Sequence, residues 1–278
     1  MAHCITQEAE ELLDKEIPVL DKGFVRLVDY LGGDERIVQA ARVSYGKGTK
    51  TVREDAALID YLLRHNHTSP FEQVVLTFHL KMPIFVARQW VRHRTGRMNE
   101  VSGRYSVLPD EFYVPKSEDV AKQATSNKQG RGEPFGEDQA EQIIEEFKEA
   151  QQKAYEGYSA MIERGVAREL SRINLPLSLY TQFYWQMDLH NLFHFLTLRL
   201  DNHAQCEIRA YAEAVLRIVK AVCPMATASF VNVRLNALSF NGEEVEALRS
   251  LLSGKANPLT DDKKLKRFTA KLETGEQL

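Results

Sequence analysis

Cysteine is scarce in this 278-residue chain, and no stretch of it stays apolar for long. The three cysteines, Cys4, Cys206 and Cys223, cannot all pair with one another, and their spacing is unlike that of a metal knuckle. A reduced, cytoplasmic setting is therefore the simplest interpretation. No apolar run approaches the ~20 residues that a membrane-spanning helix needs, and the N-terminal residues are too acidic for a secretory signal. The sequence predicts no membrane partner and no export.

A broad excess of positive charge is absent as well. The chain has 36 basic and 39 acidic residues, which gives a net charge of −3. Proteins that coat nucleic acid rely on a basic excess, so we predict no nucleic-acid partner. One small anionic ligand remains compatible with this balance, because a few clustered arginines can bind a single phosphate. Glycine-rich phosphate loops of the Rossmann or Walker type are missing, so a dinucleotide would not be held in a Rossmann fold.

The pattern of apolar residues predicts both strands and helices. Hydrophobic residues make up 44% of the chain, which is enough for a buried core. A period of two over 74–82 predicts a strand that Pro83 ends, and 24–30 is typical of a second strand. Helical spacing occurs in five segments, at 53–64, 84–94, 143–162, 189–200 and 208–219. The sequence therefore predicts an α+β fold, with one mainly antiparallel sheet and flanking helices in a single domain with a helical C-terminal half.

Two polar segments lack such a pattern. Residues 116–138 contain three glycines and a proline without periodicity, and we predict a mobile surface loop there. The basic run 263–267 near the C-terminus is predicted to be a solvated or frayed end. Because the first segment follows the most charged part of the chain, our hypothesis is that it covers a neighbouring ligand site.

The densest group of polar side chains is the run 92–105, Arg-His-Arg-Thr-Gly-Arg-Met-Asn-Glu-Val-Ser-Gly-Arg-Tyr. Guanidinium groups bind phosphate and planar imide edges through two parallel hydrogen bonds. Ser102 and Gly103 supply a hydroxyl and a backbone that a ligand can approach closely, and Glu100 can accept from a ribose hydroxyl. The run therefore indicates a nucleotide site. Composition alone does not separate this from a solvated charged loop or, with aromatic neighbours such as Trp90, from an RNA-contacting loop.

This run resembles the signature of the flavin-dependent thymidylate synthases. That signature is Arg-His-Arg, two variable positions, Ser, one variable, Asn-Glu, one variable, Ser, one variable, Arg-Tyr. The chain departs from it at the first serine, where it has Arg97, and keeps the second as Ser102. Further segments that resemble the family lie at 20–24, 41–44, 65–72, 175–180, 198–199 and 203–205. The resemblance covers residues ~20 to 225, which is too long a span for a coincidence of motifs.

The resemblance implies an enzyme that converts dUMP to dTMP. Methylenetetrahydrofolate would be the one-carbon donor, FAD the redox cofactor and NADPH the reductant that restores it. Family members bind FAD between the subunits of a homotetramer, so active sites combine residues of more than one chain. In this chain, residues 1–19 would be a polar N-terminal leader, 20–225 the catalytic domain and 226–278 a C-terminal extension.

The resemblance also assigns roles to individual residues. The implied FAD contacts are Ser69, Arg92, His93, Arg94, Glu100, Asp188, His190 and His194, the last three where other members commonly have Asn, Arg and Asn. The implied dUMP contacts are Gln89, Arg92, Glu100, Ser102, Gly103, Arg104 and Arg172. Arg199 is the implied catalytic residue, because a guanidinium against the uracil stabilises the ionised imide. Electron density then rises at C5, which attacks the methylene group of the folate.

Two other classes of function stay open from the residues alone. His190 and His194 are four apart and could bind a metal from one helix face, although no third ligand is evident and we predict no metal. A metal-dependent hydrolase would lose activity to chelators and be colourless. A nucleotide- or RNA-binding module without catalysis would bind with steep salt dependence and carry no flavin. The thiols of Cys206 and Cys223 are expected to be small core residues rather than nucleophiles.

Overall fold

The computed structural model describes residues 5–43, 52–125 and 129–275. Cys4, Ser44 and the middle of the predicted loop, 126–128, lie outside these ranges. The chain divides into two compact units, Met1–Thr227 and Ala228–Leu278. No helix in the described ranges has the length and apolar character that crossing a bilayer requires.

Antiparallel strands form the centre of the first unit. Five of the described strands make one sheet in the order β1-β2-β3-β7-β4, and two make a small separate sheet. The strands are β1 (Glu16–Val19), β2 (Gly23–Leu31), β3 (Val75–Pro83), β4 (Arg97–Glu100), β5 (Ala121–Gln123), β6 (Arg131–Pro134) and β7 (Tyr180–Asp188). The predicted α+β fold with a mainly antiparallel sheet is confirmed. The second sheet was not predicted, and β1 lies inside the segment that the sequence suggests is a polar leader.

Helices account for much of the rest of the described chain. They are α1 (Gln7–Glu10), α2 (Asp34–Arg42), α3 (Val52–Arg64), α4 (Ser69–Glu72), α5 (Ile84–Trp90), α6 (Glu137–Glu163), α7 (Arg168–Ser171), α8 (Leu189–Arg199), α9 (Cys206–Val222), α10 (Pro224–Phe230), α11 (Gly242–Leu252) and α12 (Asp262–Thr274). Short 3-10 turns lie at Ser117–Asp119 and Arg172–Asn174, and a π-helical turn lies at Val231–Leu235. The long helix α6 stops just before Gly165, whose φ of +78° is the left-handed conformation that glycine adopts easily.

Strands β3 and β7 carry the core of the first unit. They pair over their whole length, from Val75 opposite Asp188 to Pro83 opposite Tyr180. Alternate side chains of both strands are buried on one face, as the period of two predicts. Helices α5 and α8 pack on that face: the rings of Trp90 and Phe195 lie 5.0 and 5.3 Å from the ring of Trp185. Three buried aromatic rings therefore fix both helices against the sheet.

The helix predicted over 84–94 is shorter than the sequence suggests. Helix α5 ends at Trp90, and the run that follows turns into the edge strand β4, which pairs with β7. Gly96 explains this path, because it packs directly against the indole of Trp185 and a Cβ there would collide with the ring. The polar residues of β4 form a strand because they pair with β7, and their own composition does not favour one.

The segment 116–138, predicted to be a mobile surface loop, contains regular elements in its described part. The 3-10 turn at 117–119 and strands β5 and β6 occupy the described part of this segment, and α6 begins at Glu137. Val120 is buried, and the backbone N–H of Phe135 donates to its carbonyl oxygen at 3.0 Å. The described residues of the segment thus form turns and strands that its irregular pattern does not reveal.

In the second unit, the basic run 263–267 is not a frayed end either. It lies in the first half of α12, where the side chain of Asp261 caps the helix by accepting from the backbone N–H of Lys264 at 2.9 Å. Further along the helix, Lys271 forms a buried ion pair with Glu244 of α11, with an N–O distance of 2.9 Å. The cap and the ion pair order a segment whose charge suggested solvation.

Candidate active site

Arg199 lies where the end of α8 meets the end of α5. Its Nε donates to Nε2 of His93 at 3.0 Å, and its Nη2 donates to the backbone carbonyl oxygen of Gln89 at 3.1 Å. All three residues are half-buried. Two bonds from two edges of a planar guanidinium fix its orientation, so the cationic group is preorganised.

Of the two basic side chains in this hydrogen bond, Arg199 is charged and His93 is neutral. Burial, the nearby guanidinium of Arg199 and the ring of His194 lower the pKa of His93 to about 4. At neutral pH the imidazole is therefore uncharged, and its Nε2 can accept the bond from Arg199. Burial also lowers the pKa of Arg199, although a guanidinium remains charged at neutral pH. The positive charge of the pair is thus carried by Arg199.

The side chain of Gln89 has a partner of its own. Its Nε2 donates to Oε1 of Gln205 at 2.6 Å, across 116 positions of sequence. Gln205 directly precedes α9, and α9 packs against α5. The end of α5 is therefore held by α8 through Arg199 and by α9 through Gln205.

Strand β4 places Glu100 at the edge of the sheet. Its Oε1 accepts from the hydroxyl of Thr181 on β7 at 2.6 Å, while the rest of the residue stays exposed. The backbone N–H of Val101 donates to the carbonyl oxygen of Gln182 at 2.9 Å, so the pairing with β7 continues one residue beyond the strand. Glu100 thus has one carboxylate oxygen available to a ligand.

A tight turn follows at Ser102. The backbone N–H of Tyr105 donates to the carbonyl oxygen of Ser102 at 3.1 Å. Gly103 is buried, and a Cβ there would lie 3.1 Å from Cδ of Arg172, so glycine lets that side chain approach. Arg104 forms an exposed ion pair with Glu169 at 3.4 Å. The structure thus brings Ser102, Gly103, Arg104 and Arg172 together, although Arg172 is far away in the sequence.

Arg92 and Arg94 lie in the turn between α5 and β4. Both are exposed, and within the described ranges neither forms an ion pair or a side-chain hydrogen bond. In the same turn, Gly96 lies against the buried indole N–H of Trp185, which also has no partner among the described residues. Free guanidinium groups beside a turn that lacks a bulky side chain fit a large ligand with phosphates.

The remaining predicted FAD residues lie along α8 and beside it. Asp188 caps α8, and its carboxylate accepts from the backbone N–H of Asn191 at 2.9 Å and from its side chain at 2.8 Å. His190 is half-buried, and exposed His194 lies 6.1 Å from the ring of His93. Ser69 is exposed at the start of α4, which packs against α8. Of these residues, His194 is the one with a ring contact to His93 of the junction. Among the described residues no group of three His, Cys, Asp or Glu could hold a metal ion.

Gln205 also lines a cavity of about 520 Å³. Residues of β5, β6 and α6 line it, and so does the buried Glu207. Glu207 forms an ion pair with Arg131, which lowers its pKa although burial alone would raise it. Cys206 is half-buried beside this pair and not a core residue, and burial together with Glu207 raises its pKa to about 11. Cys223, by contrast, is fully buried, as expected.

Two residues of this region, Gln205 and Arg131, are not indicated by the sequence. Gln205 belongs to a segment that resembles the family, but nothing in the sequence indicates its bond to Gln89. Arg131 lies in the segment predicted to be a loop, and its partner Glu207 is 76 positions away. Glu207 alone does not indicate an ion pair in the sequence, because its partner Arg131 comes from the distant strand β6.

The chain matches models of known protein families over most of its length. The family model described as thymidylate synthase complementing protein matches residues 26–225, and the one described as thymidylate synthase ThyX C-terminal domain matches residues 238–278.

Individual relatives agree with these matches. The flavin-dependent thymidylate synthase of Treponema denticola is 61% identical over 267 residues, covering 96% of this chain and 100% of the relative. The enzyme of the same description from Treponema pallidum is 58% identical over 278 residues, covering 100% of this chain and 91% of the relative. Among solved structures, the UMP/dUMP methylase PolB from Streptomyces cacaoi bound with 5-Br dUMP superposes with a TM-score of 0.72 at 31% identity, covering 78% of this chain and 98% of PolB.

Proposed function

The chain belongs to the flavin-dependent thymidylate synthase family, and we propose that it methylates dUMP with residues of two places, the junction of α5 and α8 and the turn after β4. It is an FAD-dependent enzyme of dTMP biosynthesis, for which methylenetetrahydrofolate and NADPH are the fitting co-substrates. The observation that carries the proposed site is the fixed guanidinium of Arg199, held from two sides by His93 and Gln89.

Arg199 is the proposed catalytic residue. Loss of the imide proton of dUMP places negative charge on the edge of the uracil, and a guanidinium held there stabilises that charge. Because His93 is neutral, it orients Arg199 without competing for the anion. The ionised ring has higher electron density at C5, which then attacks the one-carbon unit of the folate.

The residues proposed to bind dUMP come from two parts of the chain. Gln89 comes from α5, and the turn after β4 supplies a hydroxyl, backbone groups and guanidinium groups. The proposed set is Gln89, Arg92, Glu100, Ser102, Gly103, Arg104 and Arg172. Its support is the packing of Arg172 against Gly103 and the free carboxylate oxygen of Glu100. Guanidinium groups suit the phosphate, and the carboxylate suits a ribose hydroxyl.

The turn between α5 and β4 is proposed to hold FAD. The free guanidinium groups of Arg92 and Arg94 fit its pyrophosphate. The other proposed contacts are Ser69, His93, Glu100, Asp188, His190 and His194. When bound, FAD supplies the hydride that reduces the transferred carbon, and NADPH restores it. The protein positions the ligands and screens their charges.

We further propose that the enzyme is a homotetramer with shared active sites. Large apolar side chains are exposed around the site, among them Tyr105 at 76%, Ile173 at 69% and Leu177 at 61%. Exposed apolar patches of this kind are typical of protein interfaces. A cytoplasmic location is proposed as well, and the free thiols of Cys206 and Cys223 support it. Within each subunit we propose residues 20–225 as the catalytic domain, flanked by the leader 1–19 and the extension 226–278.

The test starts with purified protein supplied with FAD. Formation of dTMP from dUMP, methylenetetrahydrofolate and NADPH is measured for the wild type and for Arg199→Ala, with UMP as a parallel substrate. We expect Arg199→Ala to bind FAD normally and to lose about 10²–10³-fold in kcat, the effect of removing one preorganised group. Arg217→Ala, at an exposed arginine of α9, is the matched control and should behave as wild type.

Two different results would contradict two different statements. A wild-type protein that takes up no FAD and forms no dTMP contradicts the activity itself. A wild-type protein that forms dTMP, together with an Arg199→Ala variant of undiminished kcat, contradicts the catalytic role of Arg199.

A further inference from the structure

Gln205 has no role in the site as described so far, yet it makes the shortest hydrogen bond at the end of α5. Its Oε1 accepts from Nε2 of Gln89 at 2.6 Å. Gln89 is also the residue whose backbone carbonyl oxygen accepts from Arg199. Gln89 is thus hydrogen-bonded to Arg199 through its backbone and to Gln205 through its side chain.

The side chain of Gln205 is not needed for its own helix. Gln205 occupies the N-cap position of α9, with φ of −56° and ψ of 137°, and its side chain makes no capping hydrogen bond. Side chains that cap helices are preferentially Ser, Thr, Asp or Asn, which are shorter than Gln. The backbone of Gln205 serves α9 by accepting from the N–H of Arg209 at 3.1 Å. The carboxamide is directed across to α5 instead.

The bond restricts what Gln89 can offer to a ligand. A carboxamide has two N–H donors and one carbonyl acceptor, and an unrestrained one can present either end. Once Gln205 accepts one N–H of Gln89, the groups left are its Oε1 and the second N–H. A pyrimidine edge has donors and acceptors at fixed positions, so it distinguishes these two orientations.

We propose that Gln205 is a positioning residue of the nucleotide site, which holds the carboxamide of Gln89 in the orientation that dUMP requires. This inference rests on the proposed function, in which Gln89 binds dUMP. Gln205 itself acts through Gln89 and touches neither substrate nor cofactor.

The test compares three substitutions in FAD-loaded protein. Gln205→Leu removes the acceptor at similar size, Gln205→Glu retains an acceptor oxygen, and Gln142→Leu makes the same change at an exposed position of α6. The dissociation constant for dUMP is measured by calorimetry, together with KM, kcat, FAD affinity and thermal midpoint. Gln205→Asn, which shortens the arm by one methylene, serves if Gln205→Leu does not fold.

We expect Gln205→Leu to weaken dUMP binding and raise KM by about threefold to tenfold, the effect of one net hydrogen bond. Its kcat, FAD affinity and thermal midpoint should match those of Gln142→Leu. Gln205→Glu should bind dUMP within about twofold of wild type, since the acceptor is kept. In a Gln89→Leu background, Gln205→Leu should have no further effect, because its influence passes through Gln89.

Three results would overturn the inference. One is unchanged dUMP affinity in Gln205→Leu. Another is an equal loss of FAD and dUMP affinity in both the Leu and the Glu variant, which indicates a purely structural role. The third is a further loss of dUMP affinity in the Gln89→Leu background. If the wild type itself binds no dUMP, the proposed function has failed rather than the role of Gln205.

Discussion

The bond between Arg199 and His93 predicts a specific response to acid. Burial lowers the pKa of His93, and the bond that its Nε2 accepts from Arg199 also requires the neutral imidazole. The folded protein therefore favours the neutral form of His93. In the unfolded chain the histidine is protonated at a higher pH. Unfolding therefore takes up a proton below the ordinary pKa, and stability falls as the pH falls. Replacing His93 with Gln keeps an acceptor for Arg199 but removes the titration.

The size of the effect follows from the two pKa values. The pKa of His93 is about 4 in the folded protein, against an ordinary value of 6.5. One pKa unit corresponds to about 1.4 kcal/mol, so this group alone would lower the free energy of unfolding by about 2 kcal/mol between pH 7 and pH 5. Water reaches part of the half-buried ring and screens the effect, so we expect about 1 kcal/mol. Below pH 4 the group adds nothing more, because both states are then protonated.

The assay is urea unfolding without ligands at pH 7 and pH 5, followed by fluorescence of the two tryptophans. The wild type should lose about 1 kcal/mol more than His93→Gln between these values, while the other titrating groups act equally in both and cancel. His65→Gln, at an exposed histidine, is the control and should follow the wild type. Equal losses in the wild type and in His93→Gln would refute the reasoning that His93 is held neutral.

Three further substitutions test the packing of the chain by urea unfolding. Arg131→Met leaves the buried carboxylate of Glu207 without its cation and should destabilise the protein by about 2–3 kcal/mol at neutral pH. The effect should shrink in acid, where the carboxylate becomes protonated. Gly96→Ala should cost about 1–3 kcal/mol and change the fluorescence of Trp185, because the new methyl group collides with the indole. Lys271→Met should destabilise the C-terminal unit more than the same change at an exposed lysine of α12, because it strands a buried carboxylate.

A different outcome would contradict each of these three predictions. An Arg131→Met variant within about 0.5 kcal/mol of wild type would mean that water already solvates Glu207. Unchanged stability and fluorescence in Gly96→Ala would mean that the turn is looser than its contact with Trp185 indicates. Equal effects of the buried and the exposed lysine would show that the ion pair of α11 and α12 adds nothing.

How much of the fold follows from the sequence differs from element to element. Strand β3 and helix α6 were predicted because their apolar periods arise from burial of one face, a signal that each segment carries by itself. Strand β4 was not predicted, because its residues are polar and become a strand only by pairing with β7. The segment of β5 and β6 was interpreted as a loop for the same reason.

By itself the sequence determined the fold class, the family and which polar residues we propose for the site, because these depend on local period and on a contiguous signature. The tertiary structure alone decided which of them meet. Arg199 joins His93 across 106 positions, and Gln89 joins Gln205 across 116. Such contacts depend on how α5, α8 and α9 pack on one sheet face, and that packing is set by the shapes of buried side chains such as Trp90 and Trp185. No local pattern encodes these distances.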